Sequence, residues 1–201
     1  DTVQWLGVED RIAVMPGVEA TGMILFDLVE DAEFPQVVGH WNFWPIAYDP
    51  VGPYRGTAWD QMALPGELFT RMTDAGLDPD TGVIQLNHPI SYLDFGRDMG
   101  WITAIGLAGT EPIPQEFDGS LPSLFHHQPP GADFANSDYN AQEVMNGSDN
   151  GWLQAYRAFW FYLLDEGILR AGTANSDSHS LTDNVVGWPR NVVWADTTVQ
   201  D

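Results

Sequence analysis

Short apolar runs, each interrupted or ended by single polar residues, recur along the chain. They are Ala13-Val14-Met15-Pro16-Gly17-Val18-Glu19, Gln36-Val37-Val38-Gly39-His40, Gly82-Val83-Ile84-Gln85-Leu86-Asn87-His88-Pro89, Ala141-Gln142-Glu143-Val144-Met145-Asn146-Gly147 and Ala171-Gly172-Thr173-Ala174-Asn175. Runs of this length, rich in Val and Ile and bounded by Gly or Pro, predict strands. Residues 21–33, mixed apolar and acidic, have room for a further strand, and Pro35 marks entry to the run that ends at His40. Helical spacing shows in two places. Residues 59–75 carry Met62, Leu64, Leu68, Phe69 and Met72, with Pro65-Gly66 setting the start of the regular helix and Gly76 its stop. Residues 152–166 carry Leu153, Tyr156, Phe159, Trp160, Leu163 and Leu164, with Gly167 as the stop. Between them, residues 111–140 are rich in Pro, Gly, Ser and Asp and predict a long excursion over one face, of the kind that shapes substrate pockets. The order strand, strand, helix, strand, loop, strand, helix, strand predicts a mostly parallel α/β sheet or barrel.

The polar residues that end these runs are metal-ligand types: Glu19, His40, His88 and, just past the last run, Asp177 and His179 in Asn175-Ser176-Asp177-Ser178-His179. In an extended strand, residues i and i+2 project to one face, so Asp177 and His179 are expected to grip one ion while Ser178 turns away. Parallel α/β folds place their chemistry at the C-terminal ends of strands, where these residues are predicted to lie. Taken singly, each has a plainer reading. Glu19 fits a surface carboxylate, His40 a buried histidine among aromatics, and Asp177 and His179 a loop that caps a helix. His88 fits a core histidine, pinned by Pro89 toward extended geometry. Their repetition at strand ends favours a metal centre.

Around such a centre, Asn146 and Arg190 are candidates for holding substrate. Arg190, a rare cation in this chain, suits an anionic substrate oxygen and equally a structural carboxylate. Trp41, Trp44 and Trp101 are candidates to wall a pocket for an apolar or ring-shaped molecule. His126, beside His127 in the Pro-rich excursion, is assigned to the surface or to the rim of the substrate pocket, because no strand positions it for ligation.

Composition narrows the functional classes. With 201 residues, 44% of them hydrophobic, the chain can bury a full core and is expected to form one domain spanning 1–201. Asp and Glu number 29 against 7 Lys and Arg, a formal charge of -22, which argues against nucleic-acid binding through a basic face. The same acidity suits a high-salt or extracytoplasmic setting. Cysteine is absent, so His, Asp and Glu are the only strong ligands. No apolar run is long enough to span a membrane, and the first residues carry neither an initiator Met nor a signal-peptide pattern, as in a processed or excerpted chain.

The ordered set Pro16-Gly17-Val18-Glu19, Gly39-His40-Trp41-Asn42, Asn87-His88-Pro89, Glu143-Val144-Met145-Asn146-Gly147 and Ser176-Asp177-Ser178-His179 resembles the polymerase-and-histidinol-phosphatase (PHP) superfamily of metallohydrolases. The strings at residues 172–179 and Gly187-Trp188-Pro189-Arg190-Asn191 resemble its carbamate- and ester-hydrolysing branch. The resemblance implies a distorted (β/α)7 barrel with two or more divalent ions, Zn, Mn or Fe, held by Glu19, His40, His88, Asp177 and His179. The family also begins with a His-x-His strand and a further ligand pair, and no histidine precedes Glu19 here. The resemblance therefore implies a barrel lacking its first strands in this chain: either a removed or separate upstream amino-terminal segment completes it, or the protein has a reduced metal site. Its implied activity is hydrolysis of an ester, carbamate or phosphoester bond in a small molecule by a metal-activated water. Two other classes fit the same residues: a degenerate, non-catalytic small-molecule-binding barrel, and a metal-free acid/base enzyme using paired carboxylates.

Overall fold

The computed structural model describes residues 2–24, 36–61, 63–90, 100–104, 136–148, 150–180, 182 and 184–194. Its elements are, in order, α1 (Thr2–Leu6), β1 (Val18–Ile24), β2 (Gln36–Trp44), α2 (Pro65–Asp74), β3 (Val83–Asn87), α3 (Trp101–Ala104), β4 (Ala141–Asn146), α4 (Asn150–Asp165) and β5 (Ala171–Asn175). The strands form one five-stranded sheet in sequence order. β1, β2 and β3 pair antiparallel, whereas β3, β4 and β5 pair parallel.

This corrects the expected (β/α)7 barrel: among the described residues the sheet is mixed, open and five-stranded, and β1 and β5 are its two edges. Among the described residues, both edges meet side chains. The Asp60 carboxylate accepts the Thr21 N–H beside β1 at 3.2 Å. The Asn191 amide accepts the Ala174 N–H at 2.8 Å and donates to the Ala174 carbonyl at 3.3 Å, imitating a strand partner for β5.

The two faces of the sheet follow from the register. Ala20 lies opposite Trp41, which lies opposite Leu86, and Val18, Phe43 and Ile84 line up in the same way. These residues belong to or pack against the core, together with Leu68, Phe69 and Met72 of α2, Trp101 and Ile102 of α3, and Tyr156, Phe159 and Leu163 of α4. The helices thus cover one face. The alternate positions, Glu19–Asn42–Gln85 and Thr21–His40–Asn87, put polar side chains on the other face.

Trp41 is fully buried, edge-on to Phe69, Trp101 and Tyr139. It lies on the helix-covered face, so the expected role of Trp41 and Trp101 as pocket walls is corrected: period-two alternation sends Trp41 away from its neighbours His40 and Asn42. Both predicted helix stops are present. Gly76 (φ 114°) and Gly167 (φ 78°) adopt the left-handed conformation. The bonds Leu77 N–H to Met72 O and Ile168 N–H to Leu163 O close the six-residue turns that end α2 and α4. Pro65 opens α2 at its first turn, as its fixed φ favours. The predicted excursion falls mostly on residues outside those described, and His126 lies among them. No described helix is long and apolar enough to cross a membrane.

Candidate metal centre

Two bulges tune the polar face. In β2, the register with β1 slips around Gly39, whose φ of 100° places His40 opposite Thr21. In β4, Glu143 pairs with Thr173, but the next pair is Met145 with Ala174, so Val144 is an extra residue. In unbroken alternation Glu143 and Asn146, three residues apart, would project to opposite faces; the bulge at Val144 puts both with Asn175 on the polar face.

Glu19, His40 and His88 each offer one ligand atom, and these atoms lie within 4.8 Å of one another, forming a group that can hold one metal ion. Oε1 of Glu19 is 3.5 Å from Nδ1 of His40. That separation stands at the outer limit of hydrogen-bond reach and also suits two donors on one ion, since ligands at about 2.0–2.1 Å in tetrahedral geometry stand roughly 3.3–3.4 Å apart. The His40 and His88 rings meet edge to face with centroids 4.6 Å apart. Nε2, the other ring nitrogen of His40, is buried without a hydrogen-bond partner among the described residues. These residues fit a borderline divalent cation by donor type and by spacing.

The group opens into a cleft of about 460 Å³, lined also by Asn42, Asn87, Glu143, Asn146, Asp177 and Arg190. Asn87 donates to Oε1 of Glu19 at 2.8 Å and accepts from Nε2 of Gln85 at 2.6 Å, so a buried amide relay orients the Glu19 carboxylate. The His40 hydrogen bond, with the Asn87 amide and the nearby histidines, outweighs burial and holds the Glu19 carboxyl down at about 2. Burial alone would lower the His88 imidazole. The Glu143 carboxylate, reinforced by Glu19 and Asp177, carries it above the ordinary histidine value.

The expected site residues sort into three kinds. Glu19, His40 and His88 converge. Asn146, Asp177 and Arg190 line the same cleft, and Nδ2 of Asn146 donates to Oδ2 of Asp177 at 3.2 Å. His179 touches Asp177, Nε2 to Oδ1 at 2.9 Å, but its side chain is 80% exposed and joins no ligand group among the described residues.

Three local expectations are corrected. β5 ends at Asn175 and Asp177 has φ 45°, so strand alternation does not bring Asp177 and His179 together; a left-handed turn does. His88 follows β3 with φ 25° instead of the extended geometry expected before Pro89, which turns its N–H onto Oε2 of Glu143 at 2.6 Å. Glu19 is the second residue of β1 and His40 lies mid-strand, because antiparallel neighbours cannot all present C-terminal ends on one side.

Sequence reasoning passed over Gln85, Asn87, Glu143, Asn175 and Asn191. Alternation in Gln85-Leu86-Asn87 already marked two amides for one face. The signal for Glu143 was its place inside an apolar run. Neither a family model, nor a curated protein, nor a solved structure matches the chain.

Proposed function

We propose that the chain is a metal-dependent hydrolase acting on an ester or carbamate bond of a small polar molecule, with Glu19, His40 and His88 holding the cation. The observation that carries the reading is the convergence of these three side chains at a cleft whose wall also bears Asp177 and Arg190. A divalent ion at such a site supplies an acidified water and a Lewis acid for the scissile oxygen. The motif resemblance to the PHP superfamily supports the same chemistry.

The chain's own residues supply the rest. Asn42, Asn146, Asn175 and Asn191 offer amide donors and acceptors to a bound molecule, and among the described residues no aromatic side chain lines the cleft besides His88. A polar substrate fits better than an apolar ring. Arg190 is the cleft's only described permanent cation and faces three carboxylates, Glu19, Glu143 and Asp177. That balance favours a neutral scissile group over a dianionic phosphate, with Arg190 free to hold a partial negative charge on oxygen. A phosphoester is the second reading, which Arg190 itself favours. A second ion would draw on Asp177, with His179 as its neighbour.

His40→Ala combined with His88→Ala should abolish stoichiometric zinc or manganese in elemental analysis and, with it, hydrolysis of p-nitrophenyl ester and carbamate probes. Wild-type metal content in that double variant would defeat the proposal. Higher activity on p-nitrophenyl phosphate than on the ester would move it to the second reading.

A further inference from the structure

Glu143 lies outside the ligand group, yet it is the only buried acid among the described residues, 1% exposed. Oε2 accepts the His88 N–H at 2.6 Å, Oε1 accepts Nδ2 of Asn175 at 3.1 Å, and Nδ2 of Asn146 stands 3.3 Å from both oxygens. A carboxylate shared among so many donors has little capacity left for a cation. The oxygen that holds the backbone of residue 88 also sits 3.5 Å from its ring Nδ1. Backbone and ring of one candidate ligand are thus addressed by a single oxygen. Metal-bound histidines generally donate their second ring N–H to a carboxylate or carbonyl, which fixes the tautomer and the ring's orientation.

We infer that Glu143 is the positioning residue of His88: its Oε2 keeps the ring proton on Nδ1 and leaves the Nε2 lone pair for a divalent cation. The inference rests on the metal-centre reading above. The β4 bulge is what makes the arrangement possible, because the break in alternation at Val144 puts Asn146 on the face of the carboxylate, 3.3 Å from both its oxygens. Asn175, on β5, braces Oε1. Glu143 is therefore held by two strands and holds the residue that follows a third.

The test compares wild type with Glu143→Gln. Nitrogen-15 histidine spectra of the metal-free protein at alkaline pH distinguish Nδ1–H from Nε2–H, with His88 assigned by the loss of its signals in His88→Gln. Wild type should show the Nδ1–H form at His88, and Glu143→Gln should shift it toward Nε2–H. Calorimetric zinc affinity should fall about 10–100-fold in Glu143→Gln with the number of sites unchanged. Asn175→Ala removes one brace but leaves the carboxylate. It should lose affinity in the same direction by less, and it decides the matter if Glu143→Gln does not fold. An Nε2–H tautomer in wild type, or wild-type zinc affinity in a folded Glu143→Gln, overturns the assignment. A wild-type chain that takes up no zinc but shows the Nδ1–H form overturns the metal reading and leaves the Glu143 assignment supported.

Discussion

At the scale of single residues, the two ends of the ligand group respond to protons in opposite directions. Glu19 is held at about 2, so it stays a carboxylate through any ordinary buffer. His88 is carried upward by Glu143 against the opposing pull of burial. A cation needs both histidines neutral, so proton competition at the centre includes His88 and acts above the usual imidazole range of about 6.5. Zinc affinity should therefore rise with pH, and its steep part should lie on the alkaline side of that value. The metal-free fold should show the reverse sign: a raised histidine contributes stability that is complete below its unfolded value and is lost as pH rises through its folded one. Glu19 contributes stability that is present above 4.5 and is lost as pH falls toward 2. Calorimetric zinc titrations from mildly acidic to mildly alkaline buffer, beside unfolding curves of metal-free protein, check both signs. A zinc profile that is flat until well below the ordinary histidine value would remove His88 from the ligand set.

Among the elements, β2 depends on a glycine that satisfies two demands at once. Gly39 has φ 100° in the bulge before His40, and a Cβ there would stand 2.9 Å from Cβ of Trp101 and 3.0 Å from Nε1 of Trp41. Gly76 shares the positive φ, at 114°, but a Cβ there would meet nothing within 4 Å. Gly76→Ala should thus cost only the conformational part, about 1–2 kcal/mol, whereas Gly39→Ala adds an overpacking cost of about 1–3 kcal/mol. Urea unfolding of both variants measures the difference, and equal losses would mean that α3 yields without cost. The bulges also mark where sequence reasoning stopped. Period-two alternation made the apolar face of β2 and β3 legible, and Gly76 and Gly167 made the helix ends legible. A bulge such as the one at Val144 leaves no mark in the composition of its run, yet it moves Asn146 to the other face. Strand direction escaped for a related reason: alternation identifies a strand but not the orientation of its neighbour, so β1 to β3 read as parallel and the sheet as a closing barrel. Glu19, His40 and His88 were legible as candidate ligands because their chemistry is unusual among apolar residues; their amide and carboxylate supports were not, because Asn, Gln and Glu are ordinary anywhere.

For the whole molecule, the question is whether cations act on it diffusely or at one place. A charge of -22 on 201 residues repels itself, and any added salt should relieve that repulsion. The screening length falls from about 10 Å at 0.1 M salt to about 3 Å at 1 M, so sodium chloride alone should raise the melting temperature across this range. The ligand group is different in kind. His40 and His88 have side chains only 16% and 13% exposed, and such donors are screened far less than surface acids. An ion bound there stabilises by mass action, about 2.7 kcal/mol at a concentration one hundred times its dissociation constant. Micromolar zinc should therefore add a further increment to the melting temperature that survives in 1 M sodium chloride and disappears with a chelator. In the His40→Ala and His88→Ala double variant the sodium response should remain and the zinc increment should vanish. If the zinc increment instead faded with salt as the sodium effect saturates, and persisted in the double variant, the cations would be a diffuse atmosphere around an acidic surface and the cleft would have no special claim on them.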